Sequence, residues 1–265
     1  MNTPKKIIIA MVTGFFIGVF SGLIGVGGGE FRLPILIGVF GFPIYFATAT
    51  NLIIGILISL TSFLRRISFM TPSAYHIAIF MGLASVAGGY FGAHIAKRIK
   101  EQIVGYILIL FLLTVGLKFV LSPFIDFNIP ALVLGANTKL IILVISGFLI
   151  GIVSGIFGVA GGEIRIPILM YLFTLPIKLA GTVSSFVALF AQSGGLWKHH
   201  KLKHITKDGV VIAIAMAITS IIGSYFGAVL VFGINEKLLE FLLGVALILA
   251  TFGMYKKLKI KKEST

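Results

Sequence analysis

Four ionisable residues sit where an apolar chain should have none. Glu30 and Arg32 follow a glycine cluster in GVGGGEFRLPIL (Gly25 to Leu36), and Glu163 and Arg165 follow another in GVAGGEIRIPIL (Gly158 to Leu169). A charge held at bilayer depth is expensive and usually marks a pathway or an ion pair. Each cluster should interrupt a helix, because glycine is a poor helix former and irregular backbone at membrane depth survives only beside protein or a wet cavity. A new helix then begins, with Pro34 and Pro167 expected near its first turn. Such a start offers free N–H groups and positive partial charge. With a glycine-rich turn in front it forms an anion cradle. Gly27, Gly28 and Gly29, and Gly161 and Gly162 in the second copy, would supply the backbone. Arg32 and Arg165 would add fixed positive charge and forked donors for an oxyanion. A structural alternative stays open, in which Glu30 pairs with Arg32 or Arg165 and ties the two copies together. No Gly-Lys-Ser follows either cluster, which argues against a nucleotide loop.

A second polar set lies downstream. Thr48, Asn51, Gly55, Ser59 and Ser62 share one helical face by spacing. Their counterparts are Gly181, Ser184, Ala188, Gln192 and Gly195, with Thr182 and Ser185 beside them. Such a stripe either lines a polar cavity or supplies interhelical hydrogen bonds, and the sequence leaves both open. His199, His200 and His204 stand among Lys198, Lys201 and Lys203, with Asp208 the nearest acid. That composition is expected of a solvated flank rather than a metal site. With no cysteine, no serine–histidine–acid set and only 8 acidic residues, the chain is not expected to be an enzyme. It calls for no metal and no cofactor.

The elements that must carry these residues follow from composition. The chain has 265 residues, 58% of them hydrophobic and 11% charged, with mean hydropathy +1.12. Soluble domains carry about 25% charged residues, so a soluble enzyme is excluded. At about 20 residues per crossing helix, the chain has room for eight to ten spans. The net charge of +14 could suggest nucleic acid. The basic residues, however, gather at the ends of apolar segments, as on the cytoplasmic flanks of membrane helices. No nucleic-acid partner is expected; the lipid bilayer is. The first segment, beginning MNTPKKIIIAM, reads as a retained helix, since it lacks a small-x-small cleavage site and recurs in mid-chain.

That recurrence organises everything else. Gly14 to Ile37 (GFFIGVFSGLIGVGGGEFRLPILI) and Gly147 to Met170 (GFLIGIVSGIFGVAGGEIRIPILM) are identical at 15 of 24 positions, offset by 133. Tyr90-Phe91-Gly92-Ala93 returns as Tyr225-Phe226-Gly227-Ala228, offset by 135. The pattern predicts an all-α polytopic membrane protein of two homologous halves, residues 1–121 and 138–265, joined by a linker at 122–137 that lacks Lys and Arg. Segments are expected at 7–26, 31–42, 44–64, 74–96 and 103–121, then at 138–158, 165–176, 178–197, 209–232 and 237–255. Four per half can span a bilayer; the second of each is a half-helix. If the half-helices cross, the halves are inverted; if they turn back, the halves are parallel. The 22 basic residues divide 15 inside and 7 outside in either scheme. The linker, poor in basic residues, favours an outside position and hence inversion. Both schemes leave both termini in the cytoplasm. Glycines four apart, Gly14, Gly18 and Gly22 and again Gly147, Gly151 and Gly155, predict close helix packing.

The doubled glycine-cluster, x-Arg-x-Pro motif, followed by Ala47-Thr48-Ala49-Thr50-Asn51 and Ala180-Gly181-Thr182-Val183-Ser184, resembles the TauE/SafE-type sulfite and organosulfonate exporters. The likeness spans nearly the whole chain. It implies a multi-pass inner-membrane permease for small sulfur-containing anions such as sulfite, sulfoacetate or thiosulfate, with the paired motifs lining the path. Broken helices meeting at a central site are common in secondary transporters. The substrate-binding set expected on this basis is Gly27, Gly28, Gly29, Glu30, Arg32, Thr48, Asn51, Gly161, Gly162, Glu163, Arg165, Thr182, Ser184, Ser185 and Gln192. Glu30 and Glu163 depart from the family pattern, where a glycine or apolar residue is expected; they would lower the site's positive charge or carry coupling protons. A passive anion channel, a membrane scaffold, and a proton- or cation-coupled permease for another small solute remain alternatives. A homodimer is among the assemblies left open.

Overall fold

The computed structural model describes residues 3–24, 28–121, 123–124 and 135–230, with 238, 241, 244, 245, 247–249, 251, 252 and 255. Nine α-helices lie among the described residues: α1 (Thr3–Ile24), α2 (Gly29–Gly38), α3 (Ile44–Arg66), α4 (Pro72–Arg98), α5 (Glu101–Leu121), α6 (Ala136–Phe157), α7 (Gly162–Tyr171), α8 (Ile177–Lys201) and α9 (Lys207–Leu230). All but α2 and α7 are long and apolar enough to cross a membrane. Large apolar side chains such as Phe16, Leu83 and Ile141 point outward along these helices, which suits a hydrocarbon solvent. The fold is all-α and polytopic. Of the tenth expected segment, 237–255, the described residues are helical, and most of the linker falls outside the described residues. Helix α6 takes Ala136 and Asn137 from the linker's expected end.

The half-helices are real, but they begin earlier than expected. Gly28 and Gly161 adopt left-handed backbone, φ 65 and φ 72, and cap α2 and α7. This conformation suits glycine, and it lets the helix start on the next residue. The first bonds run from Arg32 N to Gly28 O at 3.3 Å and from Arg165 N to Gly161 O at 3.1 Å. Glu30 and Arg32 therefore stand in the opening turns, and Pro34 and Pro167 lie inside their helices, not in the first turn. Without an N–H, each proline cannot bond the carbonyl four residues back, so the Glu30 and Glu163 carbonyls lose their helical donor. Ten residues rise about 15 Å, half a hydrocarbon core.

The helices form two compact units, each drawing on both halves. Unit 1 comprises Met1–Ala47, Ile99–Asn128 and Lys207–Thr265; unit 2 comprises Thr48–Arg98 and Ile129–Thr206. In unit 1, α1 packs on α9. Lys6 pairs with Asp208 at one end, and Gly14 and Gly18 lie against Met216, Thr219 and Ser220 further along, so the two helices run the same way. In unit 2, α4 packs on α6 in the same fashion, with Met81 at Gly147, Ser85 at Gly151 and Gly89 at Gly155. One bond is made twice: Ser220 Oγ donates to Gly14 O at 2.8 Å, and Ser85 Oγ donates to Gly147 O at 2.9 Å. The first helix of each half thus docks on the fourth helix of the other. Glycine is required at these crossings, because a Cβ on Gly88, Gly155 or Gly223 would strike the partner's backbone carbonyl.

Unit 2 also holds α7, α8 and most of α3. A core of Ala74, Ala78, Met81, Leu143, Ile150, Leu169, Ala180, Val183 and Val187 binds α4, α6, α7 and α8 together. Helix α4 runs parallel to α8, with Gly82 at Phe190 and Gly89 at Ala191 and Gly195. Helices α3 and α8 touch in the opposite sense. Leu52 meets Gly195, Ser59 meets Gln192, Ser62 meets Ser185 and Arg66 meets Gly181, so the numbers fall on one as they rise on the other.

Candidate functional site

The start of α7 is buried. Ala160, Gly161, Gly162 and Arg165 are all enclosed, and Arg165 has no exposed surface. Its guanidinium faces the protein backbone: Nη1 donates to Ser184 O at 2.7 Å and to Ser184 Oγ at 3.3 Å, and Nη2 donates to Ala160 O at 2.7 Å. The irregular 158–161 turn leaves carbonyls that no helix satisfies, and buried carbonyls demand donors. Arg165 supplies them and fastens α8 to the turn. Its forked grip, expected for a solute oxyanion, holds backbone in this structure, while its charge stays beside the helix start. Among the described residues outside its own helix turn, a Cβ built on Gly162 would come within 4 Å only of Ser184 Oγ, at 3.8 Å. The α7 start therefore has room beside it.

Across the turn, α3 supplies its polar face. Asn51 Nδ2 donates to Gly158 O at 3.0 Å, and Thr48 packs on Gly158, which ends α6 in left-handed backbone. Further along, Ser59 Oγ donates to Gln192 Oε1 at 3.3 Å, and Ser62 Oγ and Ser185 Oγ lie 3.1 Å apart. The two stripes read separately from the sequence therefore face each other within unit 2. Ser59 and Gln192 are 133 residues apart, which is the repeat offset, so equivalent positions meet. The pairs Ser62 with Ser185 and Leu52 with Gly195 exchange under the same offset. Contacts that map onto themselves are the mark of a two-fold relation.

The expected residues are divided between the two units. Thr48, Asn51, Gly161, Gly162, Arg165, Ser184, Ser185 and Gln192 share unit 2. Thr182 is buried there, but its hydroxyl donates to Lys178 O of its own helix at 2.8 Å. Gly28, Gly29, Glu30 and Arg32 belong to unit 1, where Gly28 packs on Ile17 and Ser21, and Glu30 and Arg32 are each 1% exposed. Gly27 and the Glu163 side chain lie outside the described residues.

Ser154 and His199 are among the buried groups that the sequence reading missed. Ser154, fully buried in α6, is the repeat copy of Ser21, and its recurrence was the available signal. His199 was expected in a solvated flank and is instead fully buried. Its Nε2 lies 3.0 Å from Gly155 O and its Nδ1 2.8 Å from His204 Nδ1. The reason is that α8 runs to Lys201, past its expected end at 197, which brings the ring to the Gly155 carbonyl of α6. His200, on the other side of the helix, is exposed as expected.

With this geometry in view, the comparisons decide the lineage. The family model for the sulfite exporter TauE/SafE matches residues 1–119 and 143–265. The chain belongs to the TauE/SafE family. A probable membrane transporter protein of Methanocaldococcus jannaschii is 28% identical over 259 residues, covering 93% of this chain and 94% of its own. The probable membrane transporter proteins YunE and YdhB of Bacillus subtilis are each 26% identical, covering 87% and 81% of this chain and 89% and 86% of their own. No solved structure matches the chain at a significant level. Family membership and the long apolar helices make this TauE/SafE chain a multi-pass membrane transporter.

Proposed function

We propose that the protein is a secondary transporter of small sulfur-containing anions such as sulfite, sulfoacetate or thiosulfate, in the cell membrane with both termini cytoplasmic. The observation that carries this reading is the α7 start. A ten-residue helix opens on left-handed Gly161, enclosed by protein, with the Arg165 cation beside it and room at Gly162. Free N–H groups and helix-dipole charge at such a start favour an anion. Arg165, whose terminal nitrogens hold carbonyls, contributes charge and a fixed turn rather than direct grip. The first half builds the same start at Gly28, with Arg32. The sequence holds no phosphate-loop motif, so the drive is an ion gradient or the solute's own.

The same reading takes the halves as inverted repeats. Helices α3 and α8 are repeat equivalents that run antiparallel across their seam. Repeats related by an axis along the membrane normal would set equivalent spans parallel, whereas an axis in the membrane plane sets them antiparallel.

Flux into proteoliposomes tests the proposal. Wild type should move at least one of the three anions with saturation. A protein carrying both Arg32→Lys and Arg165→Lys should lose at least tenfold in initial rate, because a lysine cannot bridge two carbonyls. Wild-type flux in that variant, purified monodisperse, removes the helix starts from the mechanism. Imposing or collapsing a proton gradient separates coupled from passive movement.

A further inference from the structure

The seam between α3 and α8 holds donors that no described residue satisfies. Gln192 is fully buried, and its Oε1 accepts from Ser59, yet its Nε2 has no acceptor. The amide lies directly over Gly55, where any Cβ would displace it. Thr48, also fully buried, sits two turns away on the same face of α3, and its Oγ1 likewise has no partner. A buried polar group left unmatched costs free energy, and groups so placed in native proteins call for a ligand or water.

The repeat sharpens the point. Ser62 Oγ lies 3.1 Å from Ser185 Oγ, whose own proton goes to Gly181 O. At the self-equivalent pair, 59 and 192, the two side chains differ. The chain places a glutamine at 192, long enough to reach Ser59 and left with an amide N–H to spare.

We propose that Gln192 Nε2 binds an oxygen of the transported anion within this seam, with Thr48 Oγ1 a further donor two turns along its path, so that Gln192 sets selectivity. The assignment rests on the anion-transport reading and adds a second station to it, distinct from the α7 start. Neutral donors suit such a station: they replace hydration well enough for entry without the full charge that would retard release, the balance that passage through a membrane requires.

The test is concentration-dependent flux of sulfite, thiosulfate and sulfoacetate in proteoliposomes. Gln192→Glu keeps the shape but turns the donor into a charged acceptor. It is expected to raise KM for the transported anion at least tenfold while thermal unfolding stays that of wild type. Thr48→Val removes the hydroxyl isosterically and should raise KM by a smaller factor. A Gln192→Glu protein that melts like wild type and keeps its KM overturns the assignment while leaving anion transport standing. Should Gln192→Glu not survive purification, an unchanged KM in Thr48→Val overturns it equally. Wild-type vesicles that move none of the three anions defeat the transport reading and this station with it.

Discussion

Thr174 occupies left-handed backbone at φ 53, while its repeat copy Gly41 sits at φ 76. Both shape the same turn after a half-helix, closed by Leu175 N to Leu169 O at 3.1 Å in one half and Phe42 N to Leu36 O at 3.1 Å in the other. For a β-branched residue that conformation costs roughly 1–2 kcal/mol. Thr174→Gly should therefore raise the melting temperature by a few degrees; an unchanged or lower Tm in detergent would show the turn to be unstrained. The side chains nearest the chemistry behave differently. Arg165 looks from the sequence like a ligand for solute, and it finds carbonyls first, because an irregular turn buried at membrane depth must be hydrogen-bonded before it can bind anything.

At the scale of elements, glycine spacing does the packing. Without a hydrophobic drive between helices in lipid, close backbone approach and short interhelical hydrogen bonds take its place. Gly88 lies against Phe148 O and Gly151 Cα, and Gly223 repeats this against Phe15 O. Gly88→Ala and Gly223→Ala should each lower Tm markedly, since the neighbour that must yield is backbone. Gly38, at the end of α2, has no described residue within 4 Å of an added Cβ. Gly38→Ala should leave Tm unchanged or raise it, with alanine favoured by up to about 1 kcal/mol in a helix. Equal losses at all three positions would refute the packing argument.

For the whole molecule, the antiparallel seam of repeat-equivalent helices makes inversion a question of sidedness. The natural chain has no cysteine, so single cysteines report cleanly. With inverted halves, Thr3→Cys and Pro123→Cys should react with an impermeant maleimide from opposite faces of sealed vesicles. Labelling of both from one face would mean parallel halves and half-helices that turn back.

Much was legible before any coordinates. The duplication, the two half-helices, the long apolar spans and both polar stripes follow from local signals: a fixed offset, glycine clusters, hydropathy, a shared helical face. Membership of the exporter family was legible too, from the doubled motif. What only the tertiary structure decided is partnership. A duplicated sequence offers two copies of every helix surface, and a face that fits the fourth helix of its own half fits the other half's copy as well. Nothing local says that α1 will choose α9 and α6 will choose α4. The burial of His199, the carbonyl partners of Arg165 and the meeting of Ser59 with Gln192 have the same origin. Each is a contact between segments distant in the chain, fixed by how helices cross and not by the period of any one of them.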